Sequence, residues 1–165
     1  MRLLIVVALS IATTGAAADR VAPKSFVTTV GQFGLFEIAA GNLALDKSSD
    51  PAIETYGYLM ITNHIELRNQ LAGIARRTRI PFPSSMGSSH QDALSELRRL
   101  SPSIFEREYL AHMVSGHKAA VSMFRSAAAA NPETELSRWA KRSVPMMEEH
   151  LRLAETLQAS LKVTR

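Results

Sequence analysis

Four ionisable side chains stand inside otherwise apolar stretches of this sequence: Glu37, His64, His117 and His150. In each stretch the apolar residues recur every three or four positions, which is the spacing of one buried helix face, and the ionisable residue continues that spacing. Counted at about 1.5 Å per residue from the predicted helix ends, the four positions fall within about two turns of a common level. The pattern therefore predicts one carboxylate and three imidazoles that face each other inside a helical protein.

This polar layer is open to two interpretations. Imidazole nitrogen and carboxylate oxygen are common ligands of transition metals, and helical bundles often hold such ions in their cores. On the first hypothesis the four residues bind one transition-metal ion, with zinc, copper and iron as the candidates. On the second they form a metal-free layer in which Glu37 is ionised and the histidines are neutral or paired with it. Burying four such groups without a ligand costs free energy, and this cost favours the metal hypothesis.

Each of the three histidines has a methionine four residues earlier: Met60, Met113 and Met146. Residues at i and i+4 share a helix face, so each imidazole has a thioether one turn away. Thioether together with imidazole suits copper, particularly Cu(I). Methionine is also a common filler of cores, so packing is the alternative explanation. We further expect the helix of Met113 to run opposite to the other two, which would place Met113 on the other side of the histidine layer.

Capping residues followed by proline mark where the helices that position these side chains begin. Asp50–Pro51, Ser101–Pro102 and Asn131–Pro132 each combine an N-cap residue with proline at the first helical position. Ser25 is a candidate cap for the first helix, and Ser89 opens a capping-box pattern for a short one. These signals predict four long helices and one short helix, at about 25–47, 51–79, 90–100, 102–130 and 132–162.

The lengths of the connections predict how these helices are arranged. The connections at 48–50 and around 131 are very short, so the two helices that each one joins must be antiparallel neighbours. Residues 80–101 contain Pro81, Pro83 and a serine-rich stretch, and they cross between the two hairpins. The predicted fold class is all-α: an antiparallel four-helix bundle with a long middle crossover that carries the short helix.

The amino-terminal segment predicts export. Met1–Arg2 is a short positive start, Leu3–Ala12 is an almost unbroken apolar run, and Ala16–Ala18 supplies the small residues that a signal peptidase requires. Residues 1–18 are therefore predicted to be a signal peptide and residues 19–165 the mature bundle domain, located in the periplasm with outer-membrane association left open. No later segment approaches the roughly 20 apolar residues of a transmembrane helix.

Composition and charge narrow the classes of function. Of the 165 residues, 46% are hydrophobic and 21% are charged, as in an ordinary globular protein. The chain contains no cysteine, which excludes disulfides, thiolate metal ligands and cysteine nucleophiles. The net charge of +4 comes from basic residues scattered over several elements, which favours contact with an anionic envelope surface and matches no nucleic-acid-binding motif. No hydrolase or nucleotide-binding motif is present, so the sequence indicates no catalytic residue and no partner protein.

Several segments recur in the same order in one bacterial family: Phe36–Ile38 with Leu43–Ala44, Met60–His64, Phe105–Tyr109, Met113–Val114 with His117, and Pro145–Leu151. From about Ser25 to Leu157 the chain therefore resembles the domain-of-unknown-function family 4142. Its members are often labelled predicted outer membrane proteins and placed in the ferritin-like superfamily. The resemblance implies the bundle fold and an envelope location, and it brings no settled activity. The family usually has Asp where this chain has Asn63, and Phe-Asp where it has Phe105–Glu106.

A di-iron carboxylate centre, which the superfamily suggests, does not fit these residues. Such a centre needs Glu from two helices and Glu-x-x-His from the other two. Glu37 is present, but the residues three positions before the histidines are Ile61, Val114 and Met147. A mononuclear site is the metal hypothesis that remains. The sequence thus predicts either metal handling in the periplasm or a non-enzymatic, stress-related envelope protein with a metal-free polar core that acts through its surface.

Overall fold

The computed structural model describes residues 22–163, and the predicted signal peptide lies outside this range. The described chain forms α1 (Pro23–Lys47), α2 (Pro51–Thr78), α3 (Ser88–Arg99), α4 (Pro102–Ala130) and α5 (Glu135–Val163). The predicted all-α four-helix bundle, with a short helix in its middle crossover, is confirmed. None of these five helices combines the length and the apolar character that a membrane crossing requires.

The starts of α2 and α4 lie where the sequence predicts them, at Pro51 and Pro102. The Asp50 carboxylate accepts a hydrogen bond from the Ala52 backbone N–H at 2.8 Å, which satisfies one of the free amides of the first turn. At the other end of α2, Arg79 adopts the left-handed conformation with φ of 57° and closes the helix. Local capping chemistry therefore accounts for both ends of this helix.

The predicted starts of α1 and α3 are wrong by two positions. α1 begins at Pro23, because proline suits the first helical position and needs no amide partner, and Ser25 lies inside the helix. α3 begins at Ser88 after Gly87, so Ser89 is itself helical and cannot cap. In both helices the first turn has no side-chain cap.

The start of α5 also differs from the prediction. Asn131–Pro132 belongs to the turn after α4, and the helix begins at Glu135. The Thr134 hydroxyl accepts a hydrogen bond from the Ser137 backbone N–H at 3.2 Å and takes the capping role that was predicted for Asn131. The sequence contains two capping residues three positions apart, and the chain uses the second.

The four long helices form a ring in which α1 packs on α2, α2 on α5, α5 on α4, and α4 on α1. Two apolar clusters fill its interior. The first core cluster contains Phe26, Leu71, Phe124 and Trp139, and the second contains Phe36, Met60, Phe105, Tyr109 and Ala154. Both α2 and α4 enter the bundle at the second cluster, so these two helices are parallel across a diagonal and every neighbouring pair is antiparallel.

Two glycines bring α1 and α2 into backbone contact. A Cβ atom added to Gly41 would lie 2.6 Å from the Gly57 carbonyl oxygen, and one added to Gly57 would lie 2.9 Å from the Gly41 carbonyl oxygen. These distances are shorter than real Cβ contacts, and the opposing atoms belong to the backbone, which cannot move aside cheaply. Only glycine fits at this crossing, which sets the spacing of the first hairpin.

The crossover segment is tied to the first hairpin by Arg68 of α2. Its guanidinium group donates hydrogen bonds to the carbonyl oxygens of Gly31 and Pro83. The same group lies over the Phe82 ring, 4.9 Å from the ring centroid. The crossover therefore passes close to α1, and α3 then packs on α1 before α4 begins.

Candidate metal centre

The four predicted residues lie in a polar layer between the two core clusters. Glu37 comes from α1, His64 from α2, His117 from α4 and His150 from α5, and no side chain is more than 1% exposed. Along α2, α4 and α5, the buried residues on one side of the histidine belong to the first core cluster and those on the other side to the second, whereas Glu37 lies between Phe36 and Ala40 of the second cluster. The sequence prediction that all four side chains are buried is confirmed.

The structure brings the three histidines together. Their ring centroids are 5.2 Å apart for His117 and His150, 5.4 Å for His64 and His150, and 5.7 Å for His64 and His117. One ring nitrogen from each histidine can be chosen so that all three atoms lie within 4.8 Å of one another. Within residues 22–163, no other set of three or more His, Cys, Asp or Glu side chains has its potential ligand atoms this close together.

Two of the histidines belong to a hydrogen-bonded chain whose direction can be assigned. The Met113 carbonyl can only accept, so His117 Nδ1, 2.9 Å away, carries the proton and His117 Nε2 does not. His150 Nδ1 lies 3.3 Å from His117 Nε2 and must donate to it. His150 Nε2 is then unprotonated and accepts from the Asn63 side-chain amide at 2.9 Å. With both rings neutral, as their lowered pKa values indicate, each has a defined tautomer.

His64 differs from the other two histidines. Both of its ring nitrogens are buried, and neither has a hydrogen-bond partner in the described part of the chain. Its ring instead contacts aromatic edges, including that of Phe33 at 5.8 Å between centroids. An unpaired polar group in a core costs about 1–3 kcal/mol, so an unpaired buried histidine requires an explanation.

Burial keeps all three imidazoles in the neutral form. Desolvation lowers the pKa of His117 to about 4 and, together with the nearby His117, that of His150 to about 3. Burial and the two neighbouring histidines lower the pKa of His64 well below its ordinary value. Because metal ions bind neutral imidazole, none of the three rings has to lose a net proton before it can bind an ion in the neutral pH range.

Glu37 lies in the same layer, but its carboxyl group is not a member of the histidine group. Both of its oxygens are buried and lack a hydrogen-bond partner among the described residues, and burial raises its pKa well above the ordinary value. The expectation of an ionised Glu37 paired with histidine is therefore not met. The Glu37 carboxyl group also raises the pKa of Tyr56 and Tyr109, after the larger effect of their own burial, which marks these two phenols as its electrostatic neighbours.

The spacing of the histidine nitrogens suits a metal ion as well as a hydrogen bond. Tetrahedral zinc with Zn–N bonds of about 2.0–2.1 Å separates its ligand atoms by about 3.3–3.4 Å. His117 Nε2 and His150 Nδ1 are 3.3 Å apart. The third ring, His64, has unpaired nitrogens near this pair. The residues present therefore fit a three-histidine site for a borderline metal ion.

The three methionines pack in the core clusters. Met60 and Met113 are fully buried in the second core cluster, whereas Met146 is half-buried against the first. The expectation that Met113 would lie alone on one side is wrong, because α2 and α4 are parallel and Met146 is the residue on the other side. On α5 the fully buried methionine is Met147, which the three-and-four spacing did not select.

Three other residues that the sequence makes conspicuous lie outside the histidine group. His112 is half-buried, and its ring centroid lies 5.9 Å from that of Phe36. His90 is also half-buried and stacks on the same Phe36 ring, with 5.2 Å between centroids. Tyr109 stacks on Phe105 in the second core cluster, and its buried hydroxyl has no partner within residues 22–163.

Sequence reasoning missed two residues of the site. Phe33 contacts the rings of His64 and His117, at 5.8 and 5.5 Å between centroids, and closes the layer on the α1 side. Asn63 donates to His150, although the sequence comparison noted only that it lacks a carboxylate. In the sequence, Phe33 looks like any other apolar residue of the buried face of α1, and Asn63 lies one position away from the buried face of α2. Neither residue type nor spacing therefore indicated that these two residues belong to the site.

Several solved structures share this fold. A DUF305 fragment from Deinococcus radiodurans has a TM-score of 0.73 and 19% identity, over 84% of this chain and 97% of that one. A DUF305 protein of Streptomyces coelicolor described as secreted has a TM-score of 0.71 and 17% identity, over 84% and 92%. CopM in the Cu(II)-bound form has a TM-score of 0.59 and 20% identity, also over 84% and 92%.

No curated protein matches the chain in sequence. At identities of 17–20% the likeness to the solved structures concerns the bundle alone. The sequence profile of DUF4142, a domain of unknown function, matches residues 8–157, which include all five helices except the last turns of α5. The chain therefore belongs to the DUF4142 family.

Proposed function

We propose that this protein binds one transition-metal ion in its core through His64, His117 and His150. One observation carries the proposal: three neutral imidazoles from three helices converge within 4.8 Å in a fully buried layer. A lone core histidine is ordinarily explained by a hydrogen bond, but His64 has none in the described chain. A metal ion would supply the partner that His64 lacks.

Glu37 serves this site as an adjacent acid rather than as an assumed fourth ligand. Its buried carboxyl group is uncharged as long as its raised pKa exceeds the pH. A divalent cation nearby would favour the carboxylate, because opposite charge stabilises the ionised form. Loss of the Glu37 proton would then accompany metal binding, and the negative charge would offset part of the cost of burying the cation.

The ligand chemistry favours zinc or copper. Imidazole suits zinc, copper and iron, but the single nearby carboxyl group is too little for an iron site of the carboxylate type. The bundle of CopM, in its Cu(II)-bound form, is similar to that of this chain, which supports copper. The candidate ligand group consists of three imidazoles, which are borderline ligands, so we favour Cu(II) or zinc over Cu(I).

We further propose that the protein acts in the cell envelope. Residues 1–18 have the pattern of a cleaved signal peptide, and a structural neighbour from Streptomyces coelicolor is described as secreted. Metal handling outside the cytoplasm is consistent with both observations. Intact-mass measurement of the exported protein should give a chain that begins at Asp19, and retention of residues 1–18 would contradict this.

A metal-free structural layer is the second candidate. The chain of hydrogen bonds from Asn63 through His150 and His117 to the Met113 carbonyl satisfies two of the three histidines without any ion. On this view the layer specifies how the helices align, and the protein acts through its basic surface on an envelope partner. This candidate leaves His64 and Glu37 unpaired, which is why we place it second.

Calorimetric titration of tag-free protein with zinc and with Cu(II) separates the two candidates. We expect one ion per chain, with Kd below about 10 μM, which corresponds to about 7 kcal/mol. His117→Ala should abolish binding, because it removes one ligand and the hydrogen bond that orients another. His112→Ala, a change of the same type outside the layer, should bind as the wild type does. Absence of binding, or equal binding by both variants, would leave the structural layer as the explanation.

A further inference from the structure

Asn63 holds the ring of His150 in a tautomer that cannot bind a metal ion at the proposed site. In the hydrogen-bonded chain, His150 Nδ1 carries the proton and points toward His117 Nε2. A metal ion between these two rings needs a lone pair on both atoms. His117 already offers one on Nε2, whereas His150 must first move its proton from Nδ1 to Nε2.

The atom that faces His150 Nε2 decides whether this change is favourable. The Asn63 amide nitrogen lies 2.9 Å from Nε2 and donates to it, which stabilises the unprotonated Nε2. If the amide rotates by about 180°, its oxygen takes that place and accepts from a protonated Nε2. The same side chain can therefore stabilise either tautomer, and each amide orientation matches one state of the site.

The surroundings of Asn63 leave room for this rotation. Asn63 lines a cleft of about 320 Å³ between α2 and α5, together with Glu66, Gln70, Arg142 and Met146 among others. The cleft reaches the surface, and Asn63 contacts both this cleft and His150 of the layer.

We propose that Asn63 is a positioning residue that couples metal binding to the tautomer of His150. The inference rests on the proposed metal site. Metal-bound histidines commonly donate their second ring N–H to an oxygen acceptor, which fixes the ring and strengthens the ligand. In the metal-bound state the Asn63 side-chain oxygen faces His150 Nε2 and accepts from it. In the metal-free state the Asn63 amide N–H takes that position and donates.

The proposal predicts opposite effects for two substitutions. Asn63→Asp places an acceptor at Nε2 permanently, so His150 should carry its proton on Nε2 even without metal, and zinc affinity should rise about 10- to 100-fold. Asn63→Leu removes both orientations and should lower the affinity by a similar factor. Asn69→Asp is the matched control, because it makes the same charge change at an exposed position of the same helix.

Long-range ¹H–¹⁵N correlation spectra of the histidine rings test the tautomer directly. The metal-free wild type and Asn69→Asp should show His150 protonated on Nδ1, and metal-free Asn63→Asp should show it protonated on Nε2. Zinc should move the wild-type proton to Nε2. A wild-type His150 already protonated on Nε2, or an Asn63→Asp protein with the tautomer and affinity of Asn69→Asp, would overturn the proposal.

The two failures can be distinguished. If zinc does not bind, the proposed function fails, while the comparison of metal-free proteins still decides whether Asn63 sets the tautomer of His150. If zinc binds with the same affinity in wild type, Asn63→Asp and Asn63→Leu, the metal site stands and the role of Asn63 is refuted. Circular dichroism of each variant, compared with wild type, shows whether the bundle is intact.

Discussion

Replacing His64 by Leu should stabilise the metal-free protein and remove its response to metal. Leucine and histidine side chains are similar in size. The His64 ring is fully buried, and both of its nitrogens are unpaired among the described residues. Removing an unpaired buried polar group recovers about 1–3 kcal/mol. Taking about 2 kcal/mol, and about 4 °C per kcal/mol for a domain of this length, the metal-free Tm should rise by about 8 °C.

In the presence of metal, the wild type should be the more stable of the two proteins. An ion that binds only the folded state at 100 times its Kd stabilises the wild type by about 2.7 kcal/mol, which is about 11 °C in Tm. His64→Leu lacks one ligand of the proposed site and should gain little. The order of stability of the two proteins is therefore expected to reverse between metal-free and zinc-saturated solutions.

Thermal unfolding followed by circular dichroism, with and without zinc, measures both effects. His112→Leu is the matched control, since His112 is a half-buried histidine outside the layer, and it should keep the full response to zinc. A lower metal-free Tm for His64→Leu would show that this ring makes favourable interactions in the native protein. A full zinc response in that variant would exclude His64 as a ligand.

Three further predictions concern stability. Burial lowers the pKa values of the three histidines, so the unfolded chain takes up protons first and the metal-free protein should lose on the order of 2 kcal/mol of stability per pH unit below about pH 6.5. The raised pKa of Glu37 opposes part of this loss. Urea unfolding at several pH values measures the effect, and stability that is constant or rises toward pH 5 would contradict it. Gly41→Ala should cost about 1–3 kcal/mol, because the added Cβ clashes with the Gly57 backbone. Gly73→Ala should stabilise by about 0.5–1 kcal/mol, because a Cβ there meets only the Arg77 side chain at ordinary contact distance, and urea midpoints of both variants measure these effects. Glu106→Ala should cost about 2 kcal/mol in the same assay, because its carboxylate accepts from the Ser48 hydroxyl and the Ser49 N–H at 2.8 and 3.0 Å; an unchanged midpoint would contradict this.

The burial of the layer could be predicted because it depends on helix periodicity. The stripe positions of Glu37, His64, His117 and His150 fix which side of each helix turns inward, and the very short hairpin connections fix which helices are neighbours. The same reasoning failed for Met113, because a crossover as long as residues 80–101 returns the chain to the end of the bundle where α2 began. The predicted length of that crossover already implied that α2 and α4 run parallel.

The chemistry around the layer could not be predicted in the same way. Asn63 lies about 100° around α2 from His64, so its side chain leaves the buried stripe and contacts His150 of a different helix. That contact depends on the relative rotation and level of α2 and α5, which periodicity does not determine. The separation of Glu37 from the histidine group has the same origin, since residues on one level can still point at different neighbours.

The position of the layer explains why an ion there would affect the whole bundle. His64 belongs to the first hairpin, whereas His117 and His150 belong to the second. The pairs of helices within each hairpin share extensive contacts, and those between the hairpins share far fewer. Within the layer, the Asn63 amide already joins the first hairpin to His150, but the His64 ring itself is bonded to nothing in the described chain. An ion held by all three rings would therefore add its bonds where the bundle is least tightly joined. Without an ion, this junction depends on side-chain packing, the Asn63 amide, and the Tyr56 hydroxyl, which donates to the His150 carbonyl oxygen at 3.1 Å.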